Sequence, residues 1–321
     1  MGGQGGVLRG VVFFEALADQ IGQYDKFVEE GQPKLFNPQI EISDIYTILL
    51  SVVVLVALKS MFLSFADYRL FPSMKRSIKK KLFENLFYTM FYVISSVFGL
   101  LIISREKWDL NPFTNSDVSM VKALFDPAPP PMSNLFKAYY ATQTGYYVGL
   151  LVTLFMDSRR SDYNQYLMHH GITLSLMAIS FSFGIVRIGL VILILHDICD
   201  VFLHAAKTIH YCRVESGSMV FFVLFSAAFV LLRLVIFPRV VVCVGAEVLR
   251  YVLEKPGLNN WVAYFDYYLP MWACSVALLI GLYLINCFWM SLISRLIYRE
   301  LTGSGKVAKD GDIRSDSEDE D

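Results

Sequence analysis

The sequence predicts an all-α integral membrane protein with about seven transmembrane helices. Hydrophobic residues make up 55% of the 321 residues, and they gather in long runs such as IYTILLSVVVLVAL at 45–58 and SMVFFVLFSAAFVLL at 218–232. Runs that approach or exceed about 18 mostly apolar residues are typical of helices that cross a bilayer. Transmembrane strands would instead show alternating segments of about 10 residues.

Seven spans are predicted in chain order, with boundaries soft by several residues. They cover about 45–65, 85–104, 135–156, 167–184, 186–204, 218–237 and 271–293. The fourth and fifth are the least hydrophobic, because they contain a cluster of polar residues. The N-terminal apolar patch VVFFEALA is short and contains Glu15, so it predicts no signal peptide.

The positions of the basic residues predict the orientation of the spans. Cytosolic loops of membrane proteins carry an excess of Lys and Arg. The segment 67–83 is rich in them, and alternate loops agree, with Arg159 and Arg160 after the third span and Lys207 after the fifth. We therefore expect the N-terminal segment 1–44 in the lumen. We expect 45–78 to contain the first transmembrane helix and the basic loop that follows it in the cytosol. The C-terminus is also expected in the cytosol.

The C-terminal segment 300–321 is predicted to be a disordered cytosolic tail. Its last twelve residues, DGDIRSDSEDED, contain seven acids and one arginine, a composition typical of solvated, disordered chain. Ser315 and Ser317 lie in an acidic context that suits phosphorylation by a casein-type kinase, and a purely solubilising tail is the alternative. The five cysteines show no CxxC spacing, so no zinc or disulfide framework is predicted.

The polar cluster begins at MHHGIT, residues 168–173. All five histidines of the chain fall between positions 169 and 210, and the same window contains Asp197 and Asp200. A charged group inside a membrane helix costs several kcal/mol unless it faces the protein interior or a wet cavity. The residues of the fifth span at spacings of three and four share one helical face; they are Asp197, Asp200, His204, Lys207 and Tyr211.

The fourth and fifth spans are expected to be antiparallel, with a turn near Gly184. At about 1.5 Å per residue, His169 lies about 22 Å from that turn, and the two aspartates lie about 15 to 20 Å from it on the return. The histidine pair and the aspartates therefore meet at similar depth, in the cytosolic half of the membrane. The sequence predicts a polar pocket between the two helices.

Three uses of this pocket are open on the residues alone. One is a buried Asp–His network that fixes helix packing. Another is a metal site, although adjacent histidines on a helix point about 100° apart, unlike the i, i+4 pair of a zinc helix. The third, which the physical argument favours, is acid–base or nucleophilic catalysis by an imidazole that a carboxylate orients.

The segment 169–211, HHGITLSLMAISFSFGIVRIGLVILILHDICDVFLHAAKTIHY, resembles the longevity-assurance motif of ceramide synthases within the TRAM–Lag–CLN8 (TLC) domain. The resemblance extends over 79–299, which we expect to be the TLC domain. It implies that one helix precedes a six-helix domain surrounding an acyl tunnel. The chain departs from the family at Gly184, His204 and His210, where asparagine, glutamate and asparagine are common.

The resemblance implies an endoplasmic-reticulum enzyme, a sphingosine or sphinganine N-acyltransferase. The resemblance implies fatty acyl-coenzyme A as the co-substrate and no permanently bound cofactor. The implied partners are the sphingoid base and membrane lipids, and no nucleic acid is expected. Whether the protein forms a homo- or heterodimer stays open. The family's functional histidine pair and aspartates map onto His169, His170, Asp197 and Asp200 as catalytic residues. Substrate contacts are expected from other residues of the motif, namely His196, His204, Lys207 and Arg187.

Two other classes of protein remain as alternatives. A TLC protein without enzymatic activity would bind or move lipids, and a metal or proton transporter would use an intramembrane Asp–His relay. The basic residues Lys79 to Lys81, Arg159, Arg160 and Lys207 are candidates to meet the phosphates of coenzyme A. The orientation rule for cytosolic loops accounts for the same residues without a ligand.

The predicted topology can be tested by labelling single cysteines in a background without the native ones. Lys75→Cys and Gly305→Cys should react from the cytosolic side, and Asn115→Cys from the lumenal side. The reason is that an odd number of spans separates the two ends of the chain. Labelling of Asn115→Cys from the same side as Lys75→Cys, or of Gly305→Cys from the side opposite to Lys75→Cys, would refute the seven-span arrangement, because one predicted span separates positions 75 and 115 and six separate positions 75 and 305.

Overall fold

The computed structural model describes residues 39–64, 74–106, 119–120, 123–124, 131–156, 163–242, 245–246, 250 and 269–302. Within these ranges the regular secondary structure is entirely helical. The predicted N-terminal segment up to residue 38, the acidic tail with Ser315 and Ser317, and the basic pair Arg159 and Arg160 lie outside the described residues.

Seven long helices match the seven predicted spans in order, which confirms the all-helical fold class. They are α1 (Ile42–Ser64), α2 (Arg76–Glu106), α3 (Asn134–Met156), α4 (Tyr163–Ser182), α5 (Val186–Tyr211), α6 (starting as Glu215–Ala228) and α7 (Leu269–Leu301). Helices α2 and α5 are longer than the transmembrane spans predicted for them. Hydropathy detects only the apolar part of a helix that lies in the membrane interior, and both helices continue through polar residues at one end. Helix α6 becomes a π-helix over Phe229–Ile236 and returns to α-helix over Phe237–Val242.

Four segments within the described residues are long and apolar enough to cross a membrane by composition. They are Ile42–Ser64, Arg76–Glu106, Glu215–Val241 and Leu269–Leu301. The other long helices, α3, α4 and α5, each bury polar side chains, among them Gln143, His170 and Asp197. Their lower hydropathy follows from that, since a helix surrounded by other helices does not need a lipid-facing apolar surface on every side.

The turn between α4 and α5 lies where the sequence placed it. Gly184 adopts a left-handed conformation with φ of 71°, which costs a glycine little. The backbone N–H of Ile185 donates to the carbonyl of Ser180, and that of Gly184 donates to Phe181. This pair of bonds is the Schellman arrangement, which satisfies the last carbonyls of α4. It returns the chain antiparallel, so the histidines of α4 face the polar end of α5.

Helix α5 lies at the centre of the bundle, and α2 packs against it most extensively. The two helices are antiparallel, since Ser95 contacts Asp197 while Asn85 contacts His204 further along. An aromatic core fills the space between α2, α3 and α5; it includes Tyr92, Phe136, Tyr139, Tyr140, Tyr146 and Tyr147. The polar end of α5 is therefore enclosed by side chains of α2 and α3.

Helix α1 packs along α3 at very short range. A Cβ at Gly145 would lie 2.6 Å from the Cβ of Ser51 and 2.7 Å from the backbone oxygen of Ile48. Ion pairs join the two ends of α1 to its neighbours: Lys59 pairs with Glu84 at 3.3 Å, and Lys137 pairs with Asp44 at 3.2 Å. Small residues and polar contacts are the usual means by which membrane helices associate.

The close approach at Gly145 predicts a stability difference between two glycines on the same helix. Gly145→Ala should destabilise the protein by about 1 to 3 kcal/mol, because the new methyl group meets backbone atoms. Gly149→Ala is the matched control, since a Cβ there would meet Val56 Cγ2 at an ordinary 3.4 Å. Melting temperatures of the two variants in detergent give the comparison, and equal values would contradict the packing of α1 on α3.

Candidate active site

A small cavity lies between α3, α4, α5 and α7. Its volume is about 30 Å³, the space of about one water molecule. The residues of its wall that carry polar groups are Tyr140, Tyr147, His169, Thr173 and His196, and apolar side chains such as Leu282 complete it. One histidine of the predicted pair therefore lines this cavity between the helices.

His169 and His170 lie side by side at this cavity. The His169 ring is 5.5 Å from that of His170, 6.2 Å from that of His196 and 5.0 Å from that of Trp289, measured between centroids. The Nδ1 atom of His169 and both ring nitrogens of His170 are buried and have no hydrogen-bond partner among the described residues. The imidazoles are held by ring contacts, and these three nitrogens can bind a ligand or water.

Other buried polar atoms without a described partner lie in the same region. They are Thr173 Oγ1, Asn286 Oδ1 and Trp289 Nε1. In most proteins about 90% or more of buried polar groups are hydrogen-bonded. A concentration of unpaired donors and acceptors around one cavity indicates a site that binds polar atoms of a ligand or of water.

Asp197 is fully buried and receives hydrogen bonds from α2 and α3. Ser95 Oγ donates to its Oδ2 at 2.5 Å, Gln143 Nε2 donates to the same oxygen at 2.9 Å, and the Tyr147 hydroxyl donates to Oδ1 at 3.1 Å. Gln143 also contacts Ser95 and the Tyr139 hydroxyl. All of these donors are neutral, so hydrogen bonds and not an ion pair hold this carboxyl group in the interior.

Asp200 has a different kind of partner. Arg233 Nη2 donates to Asp200 Oδ1 at 2.7 Å and to the backbone carbonyl of His196 at 2.7 Å. The arginine side chain is 4% exposed and that of the aspartate 19%. The Arg233 guanidinium also lies over the ring of Phe229, 5.1 Å from its centroid. The two aspartates that share a predicted helical face thus bind to different neighbours.

Arg233 lies within the π-helical part of α6. The N–H of Phe237 donates to the carbonyl of Leu232, five residues back, and Pro238 follows with no N–H to continue the pattern. A π-helical turn widens the helix and is frequent at functional sites. Here it carries the arginine whose guanidinium reaches α5.

His196 lines the cavity, and contacts engage both of its ring nitrogens. Its Nδ1 lies 2.8 Å from the carbonyl of Ile192, and its Nε2 lies 3.3 Å from Asn286 Nδ2. Because a carbonyl only accepts, Nδ1 carries the proton and Nε2 accepts from the amide. The surroundings therefore fix this histidine as one neutral tautomer.

The other predicted substrate contacts lie away from the cavity lining. His204 turns toward α2, where its Nδ1 is 2.9 Å from Asn85 Oδ1 and its ring stacks on Tyr92. Lys207 is half-buried near the end of α5. Arg187 donates to the carbonyl of Ala123 at 2.8 Å, about 13 Å along α5 from His196. Of the four residues, His196 alone is part of the wall of the described cavity.

Several residues of the site were not predicted from the sequence as site residues, although Arg233 and Trp289 belong to features that resemble the late helices of the family. Arg233, Gln143 and Asn286 had a usable signal, because each is a strongly polar residue inside an apolar span. Ser95, Tyr147 and Trp289 had none, since serine and aromatic residues are common in membrane helices. Within the part of the chain that the structure describes, no group of three or more His, Cys, Asp or Glu side chains is arranged to hold a metal ion.

The fold and the site define a polytopic helical membrane protein with a His–Asp centre inside the bundle. Residues 81–295 match the family model of the TLC domain, so the chain belongs to the TLC-domain family. It is 37% identical over 187 residues to ceramide synthase LOH2 of Arabidopsis thaliana, which is 58% of this chain and 60% of the relative.

Two further relatives extend the comparison. The chain is 38% identical over 183 residues to ceramide synthase hyl-1 of Caenorhabditis elegans, covering 56% of this chain and 47% of that protein. It is 31% identical over 223 residues to ASC1-like protein 3 of Oryza sativa subsp. japonica, covering 69% and 72%. The matched segment thus spans about half the length of the two proteins that are named ceramide synthases.

The contact between Arg233 and Asp200 predicts a specific pattern of stability. Arg233→Met should lower the free energy of unfolding by about 3 to 5 kcal/mol, because it removes the cation from a largely buried carboxylate. Adding Asp200→Asn should recover much of the loss, since no charge then remains. Arg295→Met, at an exposed position of α7, is the control. A double variant as unstable as the single one in thermal melting would refute the pairing.

Proposed function

We propose that this protein is a ceramide synthase of the endoplasmic reticulum membrane. It would transfer a fatty acyl group from acyl-coenzyme A to the amine of a sphingoid base, giving ceramide or dihydroceramide. The observation that carries the proposal is the histidine pair beside the cavity: half-buried His169 lines it, buried His170 lies next to His169, and ring nitrogens of both have no hydrogen-bond partner among the described residues. The similarity to proteins named ceramide synthases supports the same conclusion.

In the proposed reaction His169 is the nucleophile or the base. As nucleophile, its imidazole nitrogen attacks the thioester carbonyl, the C–S bond breaks and coenzyme A leaves as the thiol. The amine then attacks the acyl-imidazole, the C–N bond of the amide forms and the histidine is regenerated. As base, His169 instead takes the proton of the amine during direct attack on the thioester.

The aspartates have supporting roles in this proposal. Neither carboxylate makes a described hydrogen bond to His169 or His170, which differs from a simple carboxylate-oriented imidazole. Asp197 holds Tyr147, which lines the cavity, and Asp200 holds Arg233, which also binds the backbone of His196. We assign His170 to a position behind His169, since it is 2% exposed and packs on Tyr166.

Substrates would enter from the membrane and from the cytosol. The reacting ends of the substrates would meet at the cavity beside His169. Coenzyme A would bind at the end of the bundle where α2 begins and α5 ends, near Lys79 to Lys81 and Lys207. The sphingoid base and the acyl chain would arrive through the bilayer, whose lipids surround the exposed apolar faces of α1 and α2.

The proposal is tested with purified protein, a long-chain sphingoid base and a panel of acyl-coenzyme A donors, with products identified by mass spectrometry. Four variants should each lower acyl transfer about 10²- to 10⁴-fold, the usual contribution of a positioned acid–base group; they are His169→Ala, His170→Ala, Asp197→Asn and Asp200→Asn. His210→Ala, near the end of α5, is the matched control. Acyl-coenzyme A alone should leave an acyl mass on the peptide containing His169.

Three outcomes would contradict the proposal. Full activity in all four variants would show that the cluster is not catalytic. Loss of expression and melting temperature without a specific loss of rate would show a packing network. A wild-type protein that binds sphingoid base or acyl donor but never forms the amide would instead indicate a lipid-binding TLC protein.

A further inference from the structure

Asp197 has no direct access to the cavity. Its exposed fraction is 0%, and it is absent from the cavity wall. Its hydrogen-bond partners in the described chain are Ser95, Gln143 and Tyr147. Of these three, Tyr147 alone lines the cavity. The direct hydrogen-bonded route from this carboxylate to the described cavity wall therefore runs through Tyr147.

The Tyr147 side chain lines the cavity, and its hydroxyl group can accept a hydrogen bond while it donates to Asp197. Its own proton is directed to Asp197 Oδ1 at 3.1 Å, and a phenolic oxygen that donates in this way retains its accepting lone pairs. The ring is buried between Tyr146, at 5.7 Å, and His170, at 6.0 Å between centroids. The oxygen is therefore held in one place and matches a ligand N–H.

The other polar groups of the cavity wall are less suited to take a proton. Both nitrogens of His196 are engaged, and the Tyr140 hydroxyl bonds to Ser180. Thr173 has no carboxylate among its described partners to receive its own proton. Of the two roles that the proposed function leaves to His169, that of the acyl acceptor keeps its nitrogen bonded to the acyl group while the amine attacks. Tyr147 remains as the wall group that is coupled directly to a carboxylate.

We propose that Tyr147 is a catalytic residue that accepts the proton of the attacking amine, with Asp197 as the group behind it. This inference rests on the proposed function. As the amine nitrogen forms its bond to the acyl carbon, its N–H proton passes to the Tyr147 oxygen and the tyrosine proton passes to Asp197. The protonated carboxyl group later returns this proton through Tyr147 to the regenerating imidazole or to water.

Tyr147→Phe tests the inference, because it removes the hydroxyl group and keeps the ring. The rate of amide formation should fall about 10²-fold or more, with little change in KM for the acyl donor. With acyl-coenzyme A alone, the variant should still acquire the acyl mass on His169, and it should hold that mass longer when the base is added. Combining Tyr147→Phe with Asp197→Asn should cost no more than either change alone, since both interrupt one relay.

Tyr146→Phe is the matched control, because Tyr146 is the adjacent buried tyrosine, stacks on Phe91 and is not part of the cavity wall. Equal rates for the two phenylalanine variants, or effects of Tyr147→Phe and Asp197→Asn that multiply, would overturn the inference while leaving the proposed function intact. A wild-type protein that forms no amide would overturn both. If Tyr147→Phe does not fold, 3-fluorotyrosine at position 147 keeps the contacts and makes the hydroxyl more acidic. An unchanged pH–rate profile would then overturn the inference.

Discussion

The burial of Asp197 is the constraint on which the centre of this bundle depends. A carboxyl group at that depth has to be solvated by the protein, because hydrocarbon offers no hydrogen bonds. Ser95 from α2 and Gln143 and Tyr147 from α3 supply them, so three helices converge on one side chain. Satisfying the carboxylate also fixes where α2 and α3 lie against α5. The same contacts that stabilise the fold therefore set the shape of the cavity wall.

Asp197 and Asp200 illustrate two physical solutions to the same problem. Neutral donors surround the first, and a guanidinium binds the second. Neutral donors let a carboxyl group gain or lose a proton without breaking an ion pair, whereas a paired arginine keeps its partner charged. The two aspartates, three residues apart on α5, are therefore suited to different tasks. Asp197 is suited to proton exchange, and Asp200 is suited to holding α6 against α5.

Much of the architecture followed from the sequence, because hydropathy and turn chemistry act locally. The seven helices and the turn at Gly184 belong to this class. The partners of the aspartates could not be predicted from the sequence. Spacings of three and four residues show which side chains share a helical face, but not which neighbouring helix packs against that face. His204 shows the limit: it shares a stripe with the aspartates, yet it stacks on Tyr92 and bonds to Asn85, away from the cavity lining.

Helix α1 lies before residues 81–295, the segment that defines the family, yet its contacts make it part of the same body. Removing α1 would expose the face of α3 around Gly145, against which α1 packs. It would also leave Glu84 and Lys137 without their ion-pair partners on α1. The segment that matches the family model is therefore shorter than the packed bundle, which includes α1. A chain truncated to start at residue 81 would enter the bilayer with the charges of Glu84 and Lys137 unpaired by α1. The face of α3 that α1 covers would also be exposed, and α3 is the helix that carries Gln143 and Tyr147.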